Sequence, residues 1–130
     1  MNRDDLADIA VEVPDVRLVV LFGSAARGGV RATSDVDVAV MCDGPADLER
    51  VFLLLAPRFR TPRLDVVDLR RAGPLLAFEV ARSGVVLFER SPGLFRRFQS
   101  LASRRYADTK KLRDAQRRSI QVFLGSEHPA

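Results

Sequence analysis

The chain reads LFGSAARGGVRATSDVDVAV from Leu21 to Val40, a segment that joins the end of one predicted strand to the next. Residues 16–22, VRLVVLF, form a continuous apolar run, and such a run is typical of a buried strand. Residues 35–41, DVDVAVM, alternate between polar and apolar side chains, so they predict a strand with one polar face. The Gly-Ser pair that follows the first run opens a predicted helical turn over residues 24–29.

Outside this segment, hydrophobic periodicity together with proline and glycine positions predicts four more helical segments and two more strands. The helices are expected at 3–12, at 46–56 up to Pro57, at 74–82 up to Gly84, and at 92–123 with a break near 107–109; the strands are expected at 63–69 and 85–89. This order predicts an α/β (α+β) fold, with a small mixed sheet, helices on one face and a long C-terminal helical segment.

Length and composition set the class of protein. The chain has 130 residues, of which 47% are apolar, and this predicts a single globular domain over residues 1–130. No apolar run approaches the roughly 20 residues of a membrane span, and the acidic N-terminus differs from a signal peptide. The single cysteine fits a reducing compartment. We therefore expect a cytoplasmic protein.

Charge divides the chain into a core of about residues 1–90 and a basic segment of about residues 91–124. Residues 96–118 carry nine Lys or Arg against two Asp, which gives this block a net charge of +7. Such a block can attract nucleic acid or an acidic protein surface. The solvated face of a surface helix has the same composition, and the sequence leaves both interpretations open.

Two carboxylates lie close together in the second strand of the quoted segment. Asp35 and Asp37 are two residues apart, so their side chains leave the same face of a strand, and the intervening valines fill the other. Adjacent carboxylates repel each other unless a positive charge neutralises them. A divalent cation such as Mg²⁺ binds hard oxygen ligands of this kind together with substrate phosphates. A solvated acidic face remains the alternative when the pair is taken alone.

The Gly23-Ser24 pair strengthens the catalytic interpretation of the two carboxylates. It directly follows a buried strand, so its backbone N–H groups and the serine hydroxyl can point at an anion. Glycine also permits the close backbone approach that a phosphate needs. Ten residues separate Ser24 from Asp35, which allows both elements to meet at the ends of adjacent strands. The pattern indicates a cleft with phosphate on one side and metal on the other.

This arrangement resembles the signature of the polymerase-β-like nucleotidyltransferase superfamily. The fuller form GSAARG…SDVDVAV, the segment LDVVDLRRAGPLLAFEVARSGVVLFE at 64–89 and the Arg-rich helix with Tyr106 and Asp108 are similar to its minimal nucleotidyltransferase branch. The resemblance implies a nucleotidyltransferase fold and a metal-dependent transfer of a nucleoside monophosphate from a nucleoside triphosphate to an acceptor.

Members of the superfamily normally carry a third carboxylate on a neighbouring strand, and this chain offers Asp65 or Asp68. If Asp68 faced the cleft, Asp65 would point into the core without a partner, which is costly. If Asp65 faces the cleft, Leu64 and Val66 pack inward and Asp68 lies at the strand end within reach of water. We therefore predict that Asp65 completes the site and that Asp68 is structural.

The resemblance also implies roles for the site residues. Asp35, Asp37 and Asp65 would bind two Mg²⁺ ions, and Asp65 would help to deprotonate or orient the acceptor hydroxyl. Gly23 and Ser24 would hold the β- and γ-phosphates of ATP. Two further residues allow two interpretations each: Arg27 can contact phosphate or remain solvated on a short helix, and Ser34 can bind nucleotide or only brace the turn before Asp35.

The acceptor is the open question, because the chain has no large segment beyond its core. The minimal branch is familiar as the antitoxin half of toxin–antitoxin pairs, in which the toxin is a HEPN-domain ribonuclease. The resemblance implies AMP transfer from ATP to a tyrosine of that toxin, and the basic C-terminal block would contact the toxin. Two alternatives remain: the acceptor is RNA or a small molecule, or the chain blocks a partner by binding without catalysis.

Overall fold

The computed structural model describes residues 6, 8–23, 26 and 35–127, with side chains to residue 124. The helices and strands of these residues follow one another in the order expected from the sequence, apart from the turn expected between the first two strands, which lies largely outside them. They are α1 Ile9–Glu12, β1 Val16–Phe22, β2 Val36–Cys42, α2 Leu48–Phe59, β3 Leu64–Asp68, α3 Pro74–Ser83, β4 Val85–Glu89 and α4 Leu94–Glu127.

The four strands form one mixed sheet in the order β3-β2-β1-β4. Strand β1 pairs antiparallel with both β2 and β4, whereas β2 pairs parallel with β3. The predicted mixed sheet and the long C-terminal helix are therefore confirmed. The two inner strands, β1 and β2, are the ones that the quoted segment joins.

Helices cover both faces of this sheet, and the prediction that they cover only one is wrong. On one face, Val38 of β2 packs in a buried cluster with Val51 and Leu55 of α2. On the other face, Ala39 of β2 packs in a cluster with Val80 of α3. The physical reason is the apolar run of β1, whose side chains on both faces must be removed from water.

Helix α2 continues past the proline that was expected to end it. Its first turn is capped by Asp47, whose side chain accepts a hydrogen bond from the N–H of Arg50 at 3.2 Å. Pro57 lies inside the helix, which ends at Phe59. Arg60 then adopts a left-handed conformation, and its N–H donates to the carbonyl of Ala56 at 3.1 Å. This bond closes the last turn despite the N–H that proline lacks.

Helix α4 is continuous through residues 107–109, so the predicted break there is wrong. The Thr109 hydroxyl donates to the carbonyl of Arg105, one turn earlier, at 2.8 Å. A threonine that satisfies its hydroxyl within its own helix does not need to act as a cap.

Two predictions near the N-terminus fall partly or wholly outside the described residues. Of the helix expected at 3–12, the structure describes Ile9–Glu12 as helical. Of the turn expected at 24–29, it describes only residue 26. Among the helices that are described, not one combines the length and the apolar character needed to cross a bilayer.

The single cysteine occupies the last position of β2 and lies in the core. Cys42 is 1% exposed and belongs to the cluster on the α2 face. Burial, together with the nearby carboxylates of Asp15, Asp68 and Asp43, raises the pKa of its thiol to about 11.

The junction between α3 and β4 is closely packed, and this packing requires glycine. A Cβ atom at Gly84 would lie 2.3 Å from the carbonyl oxygen of Val80 and 2.5 Å from a methyl carbon of Val20. Neither atom can retreat easily, because one is backbone and the other belongs to a completely buried side chain. At Gly73, just before α3, a Cβ atom would meet nothing within 4 Å.

We therefore expect Gly84→Ala to lower the free energy of unfolding by about 1–3 kcal/mol, the usual cost of forcing extra volume into a packed core. Gly73→Ala is the matched control and is expected to change it by less than about 1 kcal/mol. Urea unfolding followed by circular dichroism measures both variants. Equal stabilities for the two would show that the junction can relax and that the packing argument is wrong.

Candidate active site

The candidate site lies where β2 meets its two neighbours. In the β2–β3 ladder Asp37 is the register partner of Asp65, and in the β1–β2 ladder it is the partner of Phe22, the residue before Gly23. Register partners point to the same face of a sheet, so the carboxylates of Asp37 and Asp65 lie side by side. Asp35, which directly precedes β2, has a 70% exposed side chain. The structure thus brings together the three predicted carboxylates at one end of the sheet.

Packing on the opposite face of β2 holds these carboxylates in place. Val36, Val38 and Val40 are at most 6% exposed and belong to the cluster beneath α2. Side chains alternate along a strand, so Asp37 must point to the other face. The predicted division of β2 into a buried valine face and a carboxylate face therefore holds at the end that carries Asp35 and Asp37.

The carboxylates repel one another, and partial burial together with this repulsion raises the pKa of Asp37. Partial burial is the largest cause that raises the pKa of Asp37 above its usual value near 3.8, and the negative charges of Asp65 and Asp35 add to it. A cation that binds here would remove this repulsion. Carboxylate oxygens are the hard ligands that Mg²⁺ prefers, so the donor set fits that ion.

The arrangement provides some of the ligands for a metal ion but not a complete cage. Within the part of the chain that the structure describes, no three His, Cys, Asp or Glu side chains converge closely enough to hold an ion. Mg²⁺ usually binds through one or two carboxylates and takes its remaining ligands from substrate phosphates and water. The carboxylates of Asp37 and Asp65 fit this mode of binding.

Gly23 forms the floor of the site beside Asp37. Its φ is +73°, a left-handed conformation that favours glycine, and a Cβ atom there would lie 2.5 Å from Oδ2 of Asp37. The backbone and the carboxylate thus approach each other more closely than any other residue would allow. This supports the predicted role of Gly23 in a phosphate–metal cleft.

The structure distinguishes the two candidates for the third carboxylate. Asp65 is exposed beside Asp37, whereas Asp68 is only 6% exposed. One oxygen of Asp68 accepts from the N–H of Ala46 and the other from the N–H of Arg70, both at 3.0 Å. The expectation that Asp68 reaches water is therefore wrong. Its hydrogen bonds tie β3 to the loop that precedes α2, which agrees with a structural role.

One charged residue at the site was missed by the sequence analysis. The guanidinium of Arg63, immediately before β3, lies 3.9 Å from a carboxylate oxygen of Asp35. The backbone explains the proximity, because the N–H of Val36 donates to the carbonyl of Arg63 at 2.9 Å where β2 and β3 begin their parallel pairing. The position of Arg63 directly before the third strand was the only feature of the sequence that could have indicated this residue.

Three of the predicted nucleotide-binding residues, Ser24, Arg27 and Ser34, lie outside the described residues. Their roles remain predictions. They belong to the segment between β1 and β2, which starts directly after Gly23 and ends directly before Asp35.

Comparison with known proteins gives a family match over the part of the chain that contains the site. Residues 4–93 match the family described as "Polymerase beta, Nucleotidyltransferase". A relative from Aphanizomenon flos-aquae (strain 2012/KM1/D3), named "Protein adenylyltransferase MntA", is 29% identical over 133 residues, which cover 89% of this chain and 85% of the relative.

Solved structures share the fold over nearly the whole chain. One, described as a toxin–antitoxin with AMP-PNP, has a TM-score of 0.77 at 24% identity and covers 93% of this chain and 99% of its own. Another, described as a tri-AMPylated Shewanella oneidensis HEPN toxin in complex with MNT antitoxin, has a TM-score of 0.70 at 22% identity, with coverages of 92% and 96%. These similarities extend beyond the matched core and into α4.

The two candidate third carboxylates can be separated by matched substitutions. Asp65→Asn is expected to keep the fold but to lower nucleotidyl transfer by roughly a hundredfold or more, the usual contribution of a general base. Asp68→Asn is expected to lower the free energy of unfolding by about 1–3 kcal/mol, because an amide cannot accept both backbone N–H groups. Single-turnover assays and urea unfolding measure the two effects. Full activity in Asp65→Asn, with activity lost in folded Asp68→Asn, would reverse the assignment.

The raised pKa of Asp37 predicts a pH-dependent stability in metal-free buffer. The folded protein holds this proton more tightly than the unfolded chain, so the contribution of Asp37 to the free energy of unfolding falls as pH rises from near 3.8 through the raised pKa. Above that window the ionised carboxylate continues to destabilise the fold. Asp37→Asn removes this cost, and we expect it to be more stable than the natural chain at pH 7, with a smaller difference at pH 4. Urea unfolding in EDTA tests this, and a less stable variant at pH 7 would contradict it.

Proposed function

The chain belongs to the polymerase beta nucleotidyltransferase family, and on this premise we propose that it transfers AMP from ATP to a tyrosine of a HEPN-domain toxin and so neutralises it. The observation that carries the catalytic part of the proposal is the placement of Asp37 beside Asp65 and against Gly23. A module that only binds a partner has no need to hold like charges next to each other.

The acceptor and the donor are proposed from the relatives. The Aphanizomenon relative is named a protein adenylyltransferase, and one structure of the same fold is described with AMP-PNP. Another is described as an AMPylated HEPN toxin together with an MNT antitoxin. These descriptions support ATP as the donor, a protein as the acceptor and a hetero-oligomer as the working assembly.

The proposed reaction is an in-line displacement at the α-phosphorus of ATP. The tyrosine oxygen forms a bond to that phosphorus, the bond to the bridging oxygen of the β-phosphate breaks, and pyrophosphate leaves with the electron pair. Asp65 orients the tyrosine hydroxyl and accepts its proton. Gly23 and Ser24 hold the β- and γ-phosphates through backbone N–H groups and the serine hydroxyl.

Asp35, Asp37 and Asp65 are the residues that would hold magnesium, with two ions as the proposed number. When bound, Mg²⁺ neutralises charge on the triphosphate and on the attacking and leaving oxygens. The three carboxylates supply the negative charge that would hold the ions. At the exposed edge of the site, Asp35 pairs with Arg63. Arg27 and Ser34 are proposed to contact the nucleotide.

The alternative with a specific structural basis is transfer to RNA, because α4 carries the whole basic block of residues 96–118. Phosphate-tracking by such a helix would give strong, salt-sensitive binding. Transfer to a small molecule and non-catalytic blocking are the remaining alternatives. They differ from the proposal in what becomes covalently modified.

Mass spectrometry tests the proposal directly. The chain is incubated with ATP, Mg²⁺ and the protein encoded by the adjacent gene, and if that is a HEPN-domain protein we expect one or more AMP-sized mass increments on one of its tyrosines. Asp37→Asn is the control and should give no increment, because it removes a metal ligand while leaving the acceptor surface intact. A tight complex without any mass increment would favour the blocking function. An AMP-sized increment on RNA instead of on the protein would favour the RNA acceptor.

A further inference from the structure

The C-terminal half of α4 extends beyond the part of the helix that packs against the sheet. Ala102 is only 1% exposed, and the ring of Tyr106 stacks on Phe78 of α3 with 4.0 Å between centroids. The guanidinium of Arg113 lies over the same tyrosine ring, 5.2 Å from its centroid. From residue 115 to residue 124 every side chain is exposed. We call residues 115–124 the distal segment.

The face of α4 that packs against the body continues along the distal segment with apolar residues. Ala102, Tyr106, Thr109 and Arg113 recur at intervals of three and four residues, so they share one face of the helix. Two turns after Arg113 the same face presents Ile120, followed one turn later by Leu124. These side chains are 58% and 49% exposed. We call Ile120 and Leu124 the distal stripe.

The distal segment spans about 15 Å and continues a helix that packs against the body, so it needs no partner in order to be helical. Most of the stability that a helix gains in a folded protein comes from packing of its apolar face. The distal stripe lacks such packing among the described residues. A partner that covers the stripe would supply it.

Charge identifies the kind of partner. Residues 104–118 carry seven Lys or Arg against two Asp, so a second copy laid along α4 would be repelled. A partner with acidic side chains would be attracted. Nucleic acid would satisfy the positive charge but would leave the distal stripe unburied, because phosphate contacts do not cover apolar side chains.

From these observations we propose that the distal segment is a docking helix for a protein partner, in which Ile120 and Leu124 enter an apolar groove with an acidic rim. This rests on the proposed function, because the partner is the acceptor protein that receives AMP. Binding of an amphipathic helix in a groove is a common mode of recognition. The stack of Tyr106 on Phe78 ties the docking helix to the body, so docking also orients the acceptor relative to the site.

A matched pair of double variants tests the docking face. Ile120→Glu/Leu124→Glu places two charges on the distal stripe, and Ala115→Glu/Val122→Glu places two charges at exposed apolar positions on the far side of the same helix. Both change the net charge equally. Isothermal titration with the full HEPN-domain protein measures affinity, circular dichroism reports the helix content, and mass spectrometry reports the AMP increment.

We expect the first variant to bind at least about tenfold more weakly, as charged substitutions in a central apolar contact do, and the second to bind within about threefold of the natural chain. Equal affinities, or equal losses in both variants, would overturn the docking face. A homodimer of the natural chain that only the first variant dissolves would also overturn it, because the stripe would then serve a second copy.

RNA and the catalytic proposal are separated by two further results. If a single-stranded RNA oligonucleotide binds the natural chain tightly and the HEPN-domain protein does not bind, the surface serves RNA and the docking proposal is wrong. If only the first variant loses binding to the HEPN-domain protein and the natural chain adds no AMP, the docking proposal stands and the proposed function fails. If AMP is added and both variants bind normally, the function stands and the docking surface is wrong.

Discussion

Strand β2 pairs with β1 on one side and β3 on the other, and these two registers fix the position of every described residue of the candidate site. The register with β3 sets Asp37 beside Asp65, and the register with β1 sets it beside Phe22 and hence Gly23. A shift of one residue would turn Asp37 into the core and the valines of β2 toward the cleft. The chemistry at this end of the sheet therefore depends on hydrophobic packing at its opposite face.

Magnitudes explain why the sheet can tolerate its carboxylates. Burying the three valines of β2 beneath α2 contributes roughly 5–9 kcal/mol, at about 1.5–3 kcal/mol each. Two partly exposed carboxylates repel each other by about 1–4 kcal/mol at close range. Packing exceeds repulsion, so the strand keeps its register while Asp37 remains partly desolvated beside two like charges. The repulsion that remains is the free energy that a bound cation can recover.

The sequence could predict the parts of this molecule that depend on local pattern. The strand positions, the carboxylate face of β2 and the choice of Asp65 as the cleft-facing residue all follow from alternation along a strand. The burial of Asp68 could not be predicted in this way, because its partner, the N–H of Ala46, lies 22 residues away. The continuity of α4 past residues 107–109 and the cover on both sheet faces depend on tertiary packing, such as the stack of Tyr106 on Phe78 of α3. The division into a core of about residues 1–90 and a basic segment of about 91–124 remains a prediction.

The buried thiol at the end of β2 can be used to measure how often this strand separates from its neighbours. Only the thiolate of a cysteine reacts readily with alkylating reagents, and a pKa of about 11 leaves very little thiolate at neutral pH. Cys42 is also the single cysteine of the chain and is almost fully covered. Its labelling rate therefore reports how often β2 separates from its neighbours. Nucleotide and metal bound at Asp37 and Asp65 would slow that labelling, so one natural atom serves as a kinetic probe of site occupancy.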